Sequence, residues 1–199
     1  AKRTSCFATK MKRTHPMERV LVTGANGFVG ATLCRKLTEQ GVQVRGLVRK
    51  TSDLTGLAGL PIELTIGALD QPAILREACV GIDTVFHVAA TASDWGTLAS
   101  FREVNVEGTR QVLDAAVSSG VRRFLHVSSV AVHGFIGAQD MDENAPQPPT
   151  PYPYCQSKRE AEALVRSYQA QCAIATTIVR PGDVYGPGDR VSLLKLAPL

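Results

Sequence analysis

Residues 20 to 30, VLVTGANGFVG, constrain the fold of this chain more than any other stretch, because an apolar run stops at Gly24 and further glycines follow at positions 27 and 30. The pattern predicts a strand, a tight turn and a helix. Gly24 permits the sharp turn at the strand end, Gly27 lets backbone approach a pyrophosphate with no Cβ in the way, and Gly30 lets the helix pack close to the strand. The unpaired N–H groups and the positive dipole end of the helix would then face the phosphates. Glycines three apart are weak evidence by themselves. The strand before them, the helical pattern after them and the β-branched strand at Val42 to Val48 turn the stretch into a βαβ unit, and that context points to a bound nucleotide.

The remainder of the chain repeats the alternation. Leu33 and Leu37 mark a helix over Ala31 to Gln40 that stops at Gly41. Strand two is followed by a Gly- and Ser/Thr-rich connection over Thr51 to Leu60, with at most a short helix, and by a third strand at Pro61 to Ile66. Pro72 suits the first turn of a helix reaching about Cys79, with Gly81 as its stop. The continuously apolar TVFHV at 84–88 predicts a strand covered on both faces. A helix over about Leu98 to Ser119, a fifth strand over Phe124 to Val127, a helix from Tyr154 to about Gln171 and a sixth strand over Ala173 to Val179 complete the reading. The expected fold class is α/β, a doubly wound parallel sheet of Rossmann-like type. Between the fifth strand and the Tyr154 helix lies a long proline-rich loop, Val130 to Pro153, and loops of that length inside a compact domain tend to be functional.

Charge and cysteines exclude several classes. The formal charge of +4 comes from Lys2, Arg3, Lys10, Lys12 and Arg13, and without those five the chain carries 17 basic against 18 acidic residues. The body of the protein therefore gives no argument for nucleic acid. The basic, acid-free tail 1–17 resembles a transit peptide but is short and has no apolar face; it reads as a disordered or non-native extension outside the fold, with Met11 or Met17 as alternative starts. No apolar run is long enough to cross a bilayer. Cys6, Cys34, Cys79, Cys155 and Cys172 are odd in number and widely spaced, which indicates neither zinc nor a disulfide framework and fits a reducing, cytoplasmic setting. No His and carboxylate spacing suggests a metal.

Sheets of this kind bind ligands beyond the C-terminal strand ends, so the polar residues there are the candidates for chemistry. Ser128 and Ser129 end strand five, and Tyr154 opens the following helix with Lys158 four positions on, so both side chains lie on one helical face. Lys158 can lower the phenol pKa of Tyr154 while holding a nucleotide ribose, and Ser129 can hydrogen-bond a substrate oxygen.

Taken together, TGANGFVG, HVAA at 87–90, Asn105 within VNVEGT, SSVAVHG at 128–134, YCQSK at 154–158 and RPGDVYGPG at 180–188 resemble the extended short-chain dehydrogenase/reductases over about Arg19 to Asp189. The resemblance implies Ser129 as the catalytic serine, Tyr154 as general acid/base, Lys158 on the nicotinamide ribose, and Asn105 holding the helix that supports the site. It also implies Gly24, Asn26, Gly27, Phe28, Val29, Gly30, Leu69 and Ala89 as cofactor contacts, with Pro181 and Val184 beside the nicotinamide. There are departures. The family's Gly-Asp-Leu after strand three is here Gly67-Ala68-Leu69 with Asp70 one place later, which puts the adenine contact in question. The family tyrosine in the V-Y-G stretch is His133, read as a pocket-wall change, while His87 and His126 read as satisfied core histidines.

An NAD enzyme usually places an acid at the end of strand two, where this chain has Val48 followed by Arg49. An arginine there suits a 2′-phosphate, so NADP(H) is favoured and NAD(H) is the alternative. Three activities fit: an oxidoreductase acting on a secondary alcohol or ketone, a nucleotide-sugar epimerase or dehydratase, and an NADP-binding protein without chemistry. Trp95, in a loop beside the expected pocket, leans toward an apolar substrate. In the resembled family a C-terminal substrate lobe follows, so the apolar 192–199 stretch reads as the interior of a longer protein, with a homodimer expected at full length.

Overall fold

The computed structural model describes residues 18–93, 95–134 and 141–189; the expectations for the 1–17 tail and for the 192–199 stretch lie outside them. Strands β1 (Arg19–Thr23), β2 (Gln43–Val48), β3 (Glu63–Ile66), β4 (Thr84–His87), β5 (Arg123–Val127) and β6 (Ala175–Val179) form one sheet in the order 3-2-1-4-5-6. Every pairing is parallel. The chain therefore starts in the middle, winds outward to β3, returns to β4 beside β1 and winds outward again. The reversal leaves a crevice at the C-terminal ends of β1 and β4, where doubly wound sheets take their ligands.

The pleat divides the core between two faces. Leu21, Leu47, Val85 and Phe124 point to one side, where α2 (Pro72–Cys79), α4 (Gly108–Ser118) and α5 (Pro153–Ala170) add Leu75, Val112, Leu113, Leu164 and Val165. Val20, Val22, Val44, Val48 and Phe86 point to the other, against Ala31, Cys34 and Leu37 of α1 (Phe28–Glu39). All four residues of β4 are buried, as its unbroken apolar run requires.

The predicted 98–119 helix is not continuous. It divides into α3 (Leu98–Arg102), a wide π turn over Glu103–Glu107, and α4. Two observations account for the interruption. Asn105 sits in the wide turn with its side chain bonded outward to the β4–α3 loop and α5, and a Cβ on Gly108 would come within 2.8 Å of the Leu69 side chain. An inserted residue lets the helix satisfy both contacts, and wide turns of this kind cluster at functional sites.

Candidate active site

The glycines of the first turn do three separate jobs. Gly24 adopts φ +66°, and a Cβ there would lie 2.8 Å from Ala89 Cα. A Cβ on Gly30 would overlap the Gly24 carbonyl oxygen, so the helix can approach the strand end only without a side chain at that position. Gly27 differs: its Cβ would meet only the Gly24 carbonyl, at 3.3 Å, and would otherwise fill the open cleft. Gly27 is the N-cap of α1, so the amides of Phe28, Val29 and Gly30 begin the helix without intrahelical acceptors, and no acidic side chain stands in the first turn. Such a cradle fits a pyrophosphate and would reject a side chain.

A cleft of about 840 Å³ opens over this turn. Every member of the expected site set except Asn105 borders it: Gly24, Asn26, Gly27, Phe28, Val29, Gly30, Arg49, Leu69, Ala89, Ser129, Tyr154, Lys158, Pro181 and Val184. Asp70 borders it as well, so the acid displaced by one position from the resembled pattern still faces the same space. Trp95 does not line it. That side chain is 87% exposed, and its loop reaches the cleft through Thr91 and Ala92 instead.

Asn105 lies behind the cleft, 2% exposed. Its Oδ1 accepts from the Thr91 amide at 2.8 Å, while Nδ2 donates to the Thr91 carbonyl at 3.1 Å and to Ser157 Oγ at 3.0 Å. Ser157 Oγ in turn donates to the Tyr154 carbonyl at 2.7 Å. Asn105 thus ties the β4–α3 loop to the first turn of α5. Ser157 has no signal of its own in the sequence beyond being part of YCQSK, since its partner is 52 residues away.

Around Tyr154 the electrostatics differ from the sequence expectation. Burial pushes the phenol up, and the hydrogen bond with Ser129 is the main opposing influence. Phe101 packs edge-on against the ring with centroids 6.0 Å apart. Lys158, 3% exposed, donates from Nζ to the Val127 carbonyl at 3.0 Å, and burial brings its ammonium down to about 8 while Glu162 pulls the other way. The expected depression of Tyr154 by Lys158 is therefore corrected: in this arrangement the cost of burying the charge falls on the lysine.

The histidines need two further corrections. His133 is not a wall of the cleft. It is buried beside the long loop, with Nδ1 3.2 Å from the Pro146 carbonyl and Nε2 3.2 Å from Arg180 Nη1. Arg180 belongs to a buried polar joint that sequence spacing did not signal. Its guanidinium forks onto both carboxylate oxygens of Glu162, at 2.8 and 2.7 Å, and reaches the Glu143 carbonyl at 2.9 Å, fastening the loop to α5 and the end of β6. Burial acts to raise the Glu162 carboxyl, but the Arg180 hydrogen bonds keep it below its ordinary value. His87 is a satisfied core residue as expected, bonded through both ring nitrogens. His126 is not: it stacks on His87 at 5.6 Å with neither ring nitrogen hydrogen-bonded among the described residues, and burial, then Lys158, lowers it to about 3. Among the described residues no cluster of His, Cys, Asp and Glu could hold a metal, and no helix is long and apolar enough to cross a membrane.

Known proteins resemble this chain in sequence and in fold. A putative dihydroflavonol 4-reductase of Synechocystis sp. is 42% identical over 175 residues, covering 84% of this chain and 50% of the relative. A 3-beta-hydroxysteroid dehydrogenase of Mycolicibacterium neoaurum is 34% identical over 190 residues, covering 89% and 50%. The crystal structure of DesIV, a dTDP-glucose 4,6-dehydratase from Streptomyces venezuelae with NAD bound, superimposes with a TM-score of 0.79 at 29% identity, covering 85% of this chain and 57% of that one. The chain spans about half the length of the curated relatives it matches. Residues 20–195 match the sequence pattern of one family throughout, from the glycine turn to beyond the Gly186 to Asp189 turn, and the chain belongs to the NAD dependent epimerase/dehydratase family.

Proposed function

We propose that this chain is the cofactor-binding and catalytic part of an NAD(P)-dependent oxidoreductase that interconverts a secondary alcohol and a ketone. The observation that carries the reading is the single cleft that unites Ser129, Tyr154 and Lys158 with the glycine cradle. Bound there, a nicotinamide dinucleotide would supply or accept the hydride. Tyr154 Oη moves the proton to or from the substrate oxygen. A half-buried phenol, protonated at neutral pH and hydrogen-bonded to Ser129, is suited to donating in the reductive direction. Ser129 Oγ orients the same substrate oxygen. Its backbone is fixed, because the hydroxyl also accepts from the Ala131 amide at 3.1 Å in the 130–133 turn. Lys158 holds a ribose hydroxyl once its ammonium turns from the Val127 carbonyl.

NADP(H) is the preferred cofactor in this reading. Arg49 borders the cleft at the end of β2, where an acid would repel a 2′-phosphate and a guanidinium attracts one. The relatives named as a putative dihydroflavonol 4-reductase and a 3-beta-hydroxysteroid dehydrogenase, at 42% and 34% identity, support the oxidoreductase over a sugar-modifying enzyme. The second reading, a nucleotide-sugar epimerase or dehydratase, draws on the DesIV likeness. Net absorbance change of the reduced nicotinamide separates them, since an epimerase returns the hydride within each turnover. Tyr154→Phe in the full-length protein tests both: turnover should fall at least about 100-fold with cofactor affinity unchanged within a few-fold. Near-full turnover in that variant would remove Tyr154 from the acid/base role.

A further inference from the structure

His87 is fully buried at the end of β4 and touches neither substrate space nor solvent. Its two ring nitrogens are nevertheless held tightly. Nδ1 is 2.8 Å from Thr23 Oγ1, and Nε2 is 2.9 Å from Thr109 Oγ1. The direction of each bond follows from what surrounds it. Thr109 Oγ1 donates its only proton to the Asn105 carbonyl, at 2.7 Å, because a carbonyl can only accept. Thr109 must therefore accept from His87, so Nε2 carries the proton. Burial disfavours a doubly protonated ring, as do the second imidazole, His126, and then the charge of Lys158. Nδ1 is then bare and Thr23 must donate to it. Thr23 Oγ1 at the same time accepts from the Ala89 amide at 3.2 Å.

The result is a chain of donors pointing one way. It runs from the Ala89 N–H at the cleft, through Thr23, His87 and Thr109, to the carbonyl of Asn105. From the Asn105 side chain it continues through Ser157 Oγ to the carbonyl of Tyr154. Each hydroxyl and amide along it has its protons committed, so no member can reverse without leaving a buried group unpaired.

We propose that His87 is a positioning residue: as a neutral, Nε2-protonated imidazole it links the strand ends under the cleft to the π turn carrying Asn105, and so sets where α5 presents Tyr154. The consequence for turnover rests on the acid/base reading of Tyr154 given above; the tautomer and the chain do not. The wide turn is where such a link acts, since turns of this kind interrupt the regular helical ladder and cluster at functional sites.

Two measurements test this on the full-length protein. In the first, nitrogen-15 NMR of labelled histidines should find His87 with a protonated Nε2 and a bare Nδ1, unchanged between pH 6 and 8. A ring protonated at Nδ1, or one that titrates in that range, overturns the proposal, and neither outcome depends on any activity. In the second, Thr109→Val keeps the shape of the side chain and removes the hydroxyl, while Thr109→Ser keeps the hydroxyl. Valine should lower kcat by about tenfold or more with cofactor Kd within twofold, and serine should restore it to within about twofold of the parent. Equal losses in the two variants overturn the proposal, since space and not the hydrogen bond would then matter. If the parent protein turns over no alcohol or ketone, the oxidoreductase reading fails while the NMR result still decides the tautomer.

Discussion

The two halves of the sheet reach the same cleft with different materials. The half built on β1, β2 and β3 contributes glycine backbone and an apolar interior; among its described residues only Thr23 and Arg45 are both buried and polar. The half built on β4, β5 and β6 buries His87, Asn105, Thr109, His126, Ser128, His133, Ser157, Lys158 and Glu162. The first half has to present amides to a ligand and keep out of its way, which the absence of side chains achieves. The second has to hold a phenol, a hydroxyl and an ammonium at fixed positions, which takes hydrogen-bonded partners in a low-dielectric setting. The cradle should therefore lose ligand when altered and keep its fold. On the proposed function, the second half should trade stability against function.

The largest expected effect breaks the first half. Gly27→Val places a side chain in the cradle, where the added Cβ lies 3.3 Å from the Gly24 carbonyl oxygen. Cofactor titration should show no saturable binding, with thermal unfolding of the free protein shifted by no more than a few degrees. Retained binding would show that the phosphates lie elsewhere. Gly30→Ala is the contrast within the same turn. Its Cβ collides with the strand-end backbone, so loss of folded protein should replace loss of ligand.

Next comes the buried pair of the second half. Arg180→Met leaves the buried Glu162 carboxylate with Arg166 at 3.6 Å, Gln147 at 3.4 Å and the Ser128 hydroxyl as remaining polar neighbours. Denaturant unfolding should show a loss of about 3 kcal/mol, most of it the cost of an uncompensated charge. A loss under about 1 kcal/mol would mean that the joint between loop, α5 and β6 does not carry the stability assigned to it.

How much of this was legible in the sequence differs between the halves for the same reason. The cradle is a local code, with glycines at fixed spacing beside an apolar run, and the strand, the turn and the helix followed from it. Ser129, Tyr154 and Lys158 were also legible, because strand ends and a shared helical face place them. Their supports were not. His87 meets Thr109 across 22 residues, Lys158 meets Val127 across 31, and Asn105 meets Ser157 across 52. No periodicity encodes such pairs. The misreading of His133 has this origin, since its partner Arg180 is 47 residues distant, and the π turn was hidden because its apolar stripe continues on either side of it.

A third prediction sharpens the contrast by improving stability at the expense of function. Lys158 is lowered from an ordinary 10.5 to about 8, so at neutral pH the fold bears a buried ammonium it would be better without. Lys158→Met should stabilise the cofactor-free protein by about 2–3 kcal/mol at pH 7 and abolish turnover. The pH dependence has a definite sign. Between pH 8 and 10.5 the unfolded chain binds more protons at this site than the folded one, so the parent gains stability as pH rises through that window. The advantage of the methionine variant should therefore be full below pH 8 and gone by about pH 10.5. An advantage that stays flat over that range would mean the substitution acts through packing and not through charge.

The smallest expected effect concerns Arg49, the cation that the glycine half sets at the cleft. Arg49 stands at the cleft end of β2, exposed, with its backbone amide pinned to Ser52 Oγ at 3.1 Å. Its side chain is the only differential contact proposed between the two cofactors, because the cradle amides meet a pyrophosphate that NAD and NADP share. Arg49→Ala should weaken NADP(H) by about tenfold to a hundredfold and leave NAD(H) within about twofold. The loss for NADP(H) should shrink as salt is raised, since an exposed guanidinium and a phosphate are screened by added ions while backbone contacts are not. Equal losses for both cofactors would assign Arg49 to the architecture of the cleft, and the first half of the sheet would then contain no charge-based selection at all. An unchanged NADP(H) affinity would leave the choice of cofactor to the remaining residues around Asp70, and an acid there would favour the ribose hydroxyls of NAD over an additional phosphate.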